Sequence, residues 1–78
     1  MLELFYLKEC PFCKKVMESF LEHDIYYVKK DISVKENYDK LMQIGKKEQV
    51  PFLIDTDLDK CMYESDEIIK YALASKNR

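Results

Sequence analysis

Within its first thirty residues the chain changes hydrophobic period twice. Residues 1–7, Met-Leu-Glu-Leu-Phe-Tyr-Leu, read as a strand: Leu2, Leu4 and Tyr6 alternate with Glu3 and Phe5, and both faces are largely apolar. Residues 11–23 then bring Val16, Met17, Phe20 and Leu21 to one side at helical spacing, with Lys14, Lys15, Glu18 and Glu22 on the wet side. Residues 25–30, Ile-Tyr-Tyr-Val-Lys-Lys, return to the β-branched and aromatic types that suit a strand. A strand, a helix and a strand in that order have essentially one arrangement, a right-handed parallel βαβ unit. Whatever follows must build on it.

The remainder reads as a second helix, a hairpin and a third helix. Ser33 with Glu36 three residues later has the form of a capping box, and Val34, Tyr38, Leu41 and Met42 follow at helical spacing, predicting a helix over 33–44. Gly45, the only glycine, stands where a helix C-cap favours one. Residues 50–55 form a short apolar strand opened by Pro51, which on residue type alone suits an edge. Asp-Thr-Asp then turns the chain, and residues 58–62 return as a short strand in which Cys61 reads as a small buried hydrophobe. Residues 65–73 close as a helix with Ser65 as N-cap, Asp66 and Glu67 in the first turn, and Ile68, Ile69, Ala72 and Leu73 as the buried stripe. The order β-α-β-α-β-β-α predicts one α/β domain over residues 1–78, a small mixed sheet with helices packed on it.

Charge and cysteine usage narrow the function. The net charge is −2, and the pairs Lys14-Lys15, Lys29-Lys30 and Lys46-Lys47 are interspersed with acids, so nucleic acid is not expected as a partner. The longest apolar run, Val50 to Ile54, contains a proline, so no membrane span is expected. Three cysteines make an odd and sparse set, which favours a reducing compartment such as the cytoplasm over a disulfide-stapled secreted domain.

Two of those cysteines stand in Cys10-Pro11-Phe12-Cys13, where the first strand gives way to a helix. Free N–H groups and the positive end of the helix dipole both stabilise a thiolate at Cys10. Lys8, two residues earlier, is a candidate for further positive charge. Cys13 lies one turn on and on the same side, within reach of Cys10. The expected roles are Cys10 as nucleophile and Cys13 as the resolving thiol. Pro11 stiffens the turn, and Phe12 is a candidate for an apolar wall beside the sulfur. The same four residues are compatible with half a zinc site or with two inert thiols. A structural zinc site needs a second ligand pair, however, and Cys61 and His23 do not make one. His23 is expected as a solvated residue near a helix C-terminus.

A first strand, Cys-Pro-Phe-Cys opening a helix, a proline before the third strand, a hairpin and an acid-capped helix together resemble a glutaredoxin over essentially the whole chain. The resemblance implies a thioredoxin-like fold, with a four-stranded mixed sheet and three helices. It implies glutathione as reductant and cosubstrate, no tightly bound cofactor and no metal, and disulfide-containing or glutathionylated proteins as substrates of a monomer. It matches Lys8 to a basic residue commonly found just before the motif. Val50-Pro51 matches a Val-Pro step with a cis bond whose first residue pairs with the cysteinyl part of glutathione. Ser65 and Asp66 match the helix start that holds the γ-glutamyl carboxylate. One departure is plain: Cys-Met-Tyr-Glu-Ser stands where most glutaredoxins carry a Gly-Gly pair. Tyr63-Glu64-Ser65 and the helix after it are instead similar to the N-terminal domain of glutathione transferases, which makes Glu64 a candidate contact for the glutathione amino group.

Overall fold

The computed structural model describes residues 1–76. Its elements are β1 (Leu2–Tyr6), α1 (Pro11–Glu22), β2 (Val28–Asp31), α2 (Lys35–Gly45), β3 (Phe52–Asp55), β4 (Lys60–Met62) and α3 (Ser65–Lys76). The sheet runs β2-β1-β3-β4. β1 pairs parallel with β2, as the βαβ pattern requires, and antiparallel with β3, which pairs antiparallel with β4. This is the thioredoxin-like fold.

Side-chain alternation divides the core. Leu2 and Leu4 of β1 and Leu53 of β3 meet Val16 and Phe20 of α1 and Ile68 and Ala72 of α3 on one face. Phe5, Phe52 and Ile54 point the other way and meet Leu41 of α2. β1 and β3 are therefore coated on both sides, and all four residues of β3 are buried.

Several local expectations are corrected. Leu21 is 80% exposed. Cys13, Val16 and Phe20 form the buried stripe of α1 at intervals of three and four, and Leu21 lies about 100° round the helix from Phe20. Pairing in β2 begins at Val28, opposite Glu3, not at residue 25. The capping box does not form. Val34 is the N-cap of α2, with no side-chain cap bond, while the Ser33 N–H goes to Asp31 Oδ1 at 2.9 Å and Asn37 Nδ2 to the Asp31 carbonyl at 2.9 Å. Gly45 is the last residue of α2, and Lys46 takes the left-handed turn at φ 63°. Pro51 precedes an inner strand, not an edge strand. β4 is an edge strand, and its Cys61 is exposed, not buried. Cys61 sits opposite Ile54, on the face where α2 does not extend over the edge strand. Ser65 is the first residue of α3 rather than its cap, since the Glu64 carbonyl already receives the Ile68 N–H at 3.0 Å.

Candidate active site

The end of β1 delivers the chain to α1 through residues 7–10, and the Cys10 N–H bonds back to the Leu7 carbonyl at 3.2 Å. Cys10 is the N-cap of α1 with extended backbone (φ −78°, ψ 115°), and Pro11 follows in the first turn. The cap itself is a sulfur: Sγ of Cys10 accepts the Cys13 N–H at 3.2 Å. A helix N-terminal N–H aimed at a sulfur stabilises its negative form. The Cys10 thiol also lies 3.8 Å from the Val50 carbonyl, to which it donates. Cys10 is half-buried, whereas Cys13 is fully buried. Burial pushes the Cys13 thiol up to about 12, and its hydrogen bond with Cys10 adds to that effect. All three cysteines are free thiols.

Beyond Val50, whose carbonyl faces the Cys10 thiol, lies a cleft of about 400 Å³. One wall is Phe12 and Lys15 from α1. Another is Gln49, Val50 and Pro51, and the third is Glu64, Ser65 and Asp66 at the start of α3. The Val50–Pro51 bond is cis. Phe12 is 62% exposed, so its ring is available to a ligand. Glu64 has φ 68°, a left-handed conformation that costs a residue with a Cβ of order 1 kcal/mol or more. Phe12, Val50, Pro51 and residues 64–66, far apart in sequence, thus line one cleft; neither cysteine lines it, and Cys10 adjoins it through the Val50 carbonyl. Nor is Lys8 among the lining residues. It lines a separate depression with Tyr6, Leu7, Lys14 and Met17, and its charge is felt by Asp31. Two cleft residues escaped the sequence reading. Lys15 is one helical turn beyond Phe12, a spacing that signals a shared face. It bonds Asp66 across the cleft at 2.6 Å. Gln49 carries no signal beyond its place next to Val50.

Elsewhere, His23 caps α1 with its ring Nδ1 3.0 Å from the Ser19 carbonyl. Among the described residues, no group of three His, Cys, Asp or Glu side chains is disposed to hold a metal ion. No described helix is long and apolar enough to cross a membrane.

A family model described as glutathione S-transferase, N-terminal domain, matches residues 4–78. The chain belongs to that family. Among solved structures, the Leishmania trimeric glutathione transferase TDR1 is 30% identical with a TM-score of 0.78 over 96% of this chain. Glutathione transferase Omega 3C from Trametes versicolor is 25% identical with a TM-score of 0.81 over 99% of this chain. The chain spans 18% of the length of the first and 34% of the second. The thioredoxin-like protein BC3987 aligns over 92% of this chain and 99% of its own, with a TM-score of 0.79 at 15% identity, which speaks to the fold alone. No curated protein sequence matches the chain. The matched span includes the Tyr63-Glu64-Ser65 segment that departs from the glutaredoxin pattern.

Proposed function

We propose that this member of the glutathione S-transferase N-terminal domain family is a glutaredoxin-type, glutathione-dependent thiol–disulfide oxidoreductase, acting as one domain in a reducing compartment such as the cytoplasm. The observation that carries the reading is the Cys10 sulfur as N-cap of α1, accepting the Cys13 N–H and facing the carbonyl of Val50, a residue that lines the cleft.

In this reading the Cys10 thiolate attacks the glutathione sulfur of a mixed disulfide. The protein thiolate leaves, takes up a proton, and glutathione remains on Cys10. A second glutathione thiolate then attacks the glutathione sulfur on Cys10, releasing oxidised glutathione and restoring the Cys10 thiolate. The ligand's cysteinyl part pairs with the main chain of Val50 beside Pro51, and Phe12 covers it. Its γ-glutamyl carboxylate meets the α3 N-terminus at Ser65 and Asp66, and its amino group meets Glu64. Lys8, in its separate depression, contributes charge only. On protein disulfides Cys13 attacks the Cys10 sulfur and expels the bound thiol. Burial holds the Cys13 thiol protonated at neutral pH, so this dithiol route requires Cys13 to give up its proton as it attacks.

Steady-state turnover of a cysteinyl–glutathione mixed disulfide tests the reading. Cys10→Ser is expected to abolish it, and Cys13→Ser to keep much of it. An active Cys10 variant sinks the scheme. The family match favours a second reading, a glutathione-binding module without redox turnover. Glutathione binding undiminished in Cys10→Ser, with no turnover by the unaltered chain, would select it.

A further inference from the structure

Gly45 and Tyr63 account for each other. Gly45 is the only glycine, yet it is not there for a left-handed turn, which Lys46 takes instead. Its requirement is steric. A Cβ at Gly45 would overlap the Tyr63 hydroxyl and stand 3.1 Å from Cζ of Phe52. The space belongs to the Tyr63 ring, which stacks on Phe52 at 4.5 Å with a 36° tilt. From there the Tyr63 hydroxyl donates to the Lys47 carbonyl at 3.0 Å, and the Lys47 ammonium stands 5.5 Å from the ring centroid.

These contacts place Tyr63 between two walls of the cleft. The loop it grips, residues 46–49, is exposed and ends at Val50, whose carbonyl faces the Cys10 thiol. Val50 and Tyr63 both pack against the core cluster of Phe5, Leu41, Phe52 and Ile54. The residue after Tyr63 is Glu64, which makes the left-handed turn into α3 and lines the opposite wall. A ring held by Phe52, by the Lys47 ammonium and through its hydroxyl leaves both neighbours little freedom.

We propose that Tyr63 is a positioning residue for the cleft: its ring, admitted by Gly45, ties the Val50–Pro51 wall to the Glu64 wall and sets the gap between them. It touches no reacting atom and acts through Val50 and Glu64. The inference deepens the oxidoreductase reading, and its turnover arm rests on that reading.

The test compares Tyr63→Phe, Gly45→Ala and the double variant with the unaltered chain. The readouts are kcat and KM for a cysteinyl–glutathione mixed disulfide, and the rate of Cys10 alkylation by iodoacetamide followed site by site by mass spectrometry. Tyr63→Phe removes only the bond to Lys47. It is expected to raise KM about three- to ten-fold, the size of one lost hydrogen bond, with kcat within about two-fold. Cys10 alkylation is expected to rise about two-fold or more as the Val50 carbonyl withdraws from the sulfur, the scale again set by one hydrogen bond. Gly45→Ala is expected to raise KM further, and the double variant, relieved of the worst overlap, to return to the Tyr63→Phe level. A Tyr63→Phe variant with unchanged KM and unchanged alkylation overturns the proposal, as does a double variant in which the two losses simply add. If the unaltered chain turns nothing over, the oxidoreductase reading falls, and the alkylation rates of the four proteins alone decide the clamp.

Discussion

Two helices cover one face of the sheet and a single helix covers the other, and the two coats differ in depth. On the first face α1 and α3 each contribute buried side chains (Val16, Phe20, Ile68 and Ala72) against Leu2, Leu4 and Leu53. On the second, α2 contributes one, Leu41, and the rest of the cover comes from the partly buried Ile32, Val50 and Tyr63. Cys13 rides on the helix whose stripe is sunk in the deep coat, while Val50 belongs to the shallow one. The candidate cleft is therefore a seam. Its sulfur sits on a rigid helix, as a nucleophile held to a narrow geometry should. Its ligand wall hangs from a thinner layer that depends on a few specific contacts.

The largest expected effect tests the deep coat. Phe20 is fully buried and meets Tyr27 edge-on at 4.9 Å. Phe20→Ala is expected to cost about 3–5 kcal/mol by chemical denaturation, a large share of what a small domain has. A loss under about 1 kcal/mol would mean that the coat is not a close-packed unit. Leu41→Ala in the shallow coat is expected to cost somewhat less, about 2–4 kcal/mol, because the site can close partly around the gap. Its distinguishing signature is local: amide exchange should speed up over residues 35–49 while β1 and α1 stay protected. Uniform acceleration would erase the distinction between the faces.

The deep coat was the more legible in sequence, for a physical reason. Its residues belong to long periodic segments, so the period switch at Cys10 placed β1, α1 and the βαβ pairing. The errors cluster where pattern stops carrying information. Leu21 is apolar and adjacent to Phe20, yet a one-residue step on a helix turns it to solvent. Cys61 has the strand alternation of a buried residue, but burial depended on whether α2 extended over the edge strand, which no local pattern states. Gly45 reads as a cap and serves instead as a vacancy for Tyr63, a partner eighteen positions away. In the candidate site, the sulfur pair was visible because its chemistry is local. The Val50 and Glu64 walls were reached only through resemblance, and Lys15 and Gln49 only through the fold.

A smaller effect concerns the one buried acid among the described residues. Asp55 ends β3 opposite Leu2, on the deep side, and is 5% exposed. The Tyr71 hydroxyl donates to Asp55 Oδ2 at 2.6 Å, and the Asp57 N–H to Oδ1 at 3.0 Å. The Tyr71 bond chiefly, with the Asp57 and Leu58 N–H groups, holds the carboxyl below its ordinary range despite burial. A carboxyl lowered in the folded state stabilises fully above its unfolded value of about 3.9, and that contribution fades as pH falls through the lower folded value. Tyr71→Phe is expected to cost about 1–3 kcal/mol at neutral pH, the range for a hydrogen bond to a buried charged group. The deficit should shrink as pH falls below about 4 and vanish below the lowered folded value, where the carboxyl is protonated in both proteins. A deficit independent of pH would assign the loss to packing of the Tyr71 ring instead.

The smallest prediction bears on the entry to the shallow coat, where sequence and structure disagree most directly. If Ser33 and Glu36 formed a capping box, Ser33→Ala would cost about 1 kcal/mol, as removal of a true N-cap does. The structure puts Val34 at the cap, with no side-chain bond to the helix, and Ser33 in a turn whose N–H is held by Asp31. Asp31 carries that turn, and it also anchors Asn37 through its carbonyl. Ser33→Ala keeps the backbone bond and loses only the exposed hydroxyl's contact with Asp31, so its expected cost is under about 0.5 kcal/mol. Asp31→Ala removes the acceptor of the Ser33 N–H and should cost more than Ser33→Ala. The reverse ranking in thermal unfolding would restore the capping box. It would also mean that α2 is held at its start by its own sequence, rather than by what β2 provides.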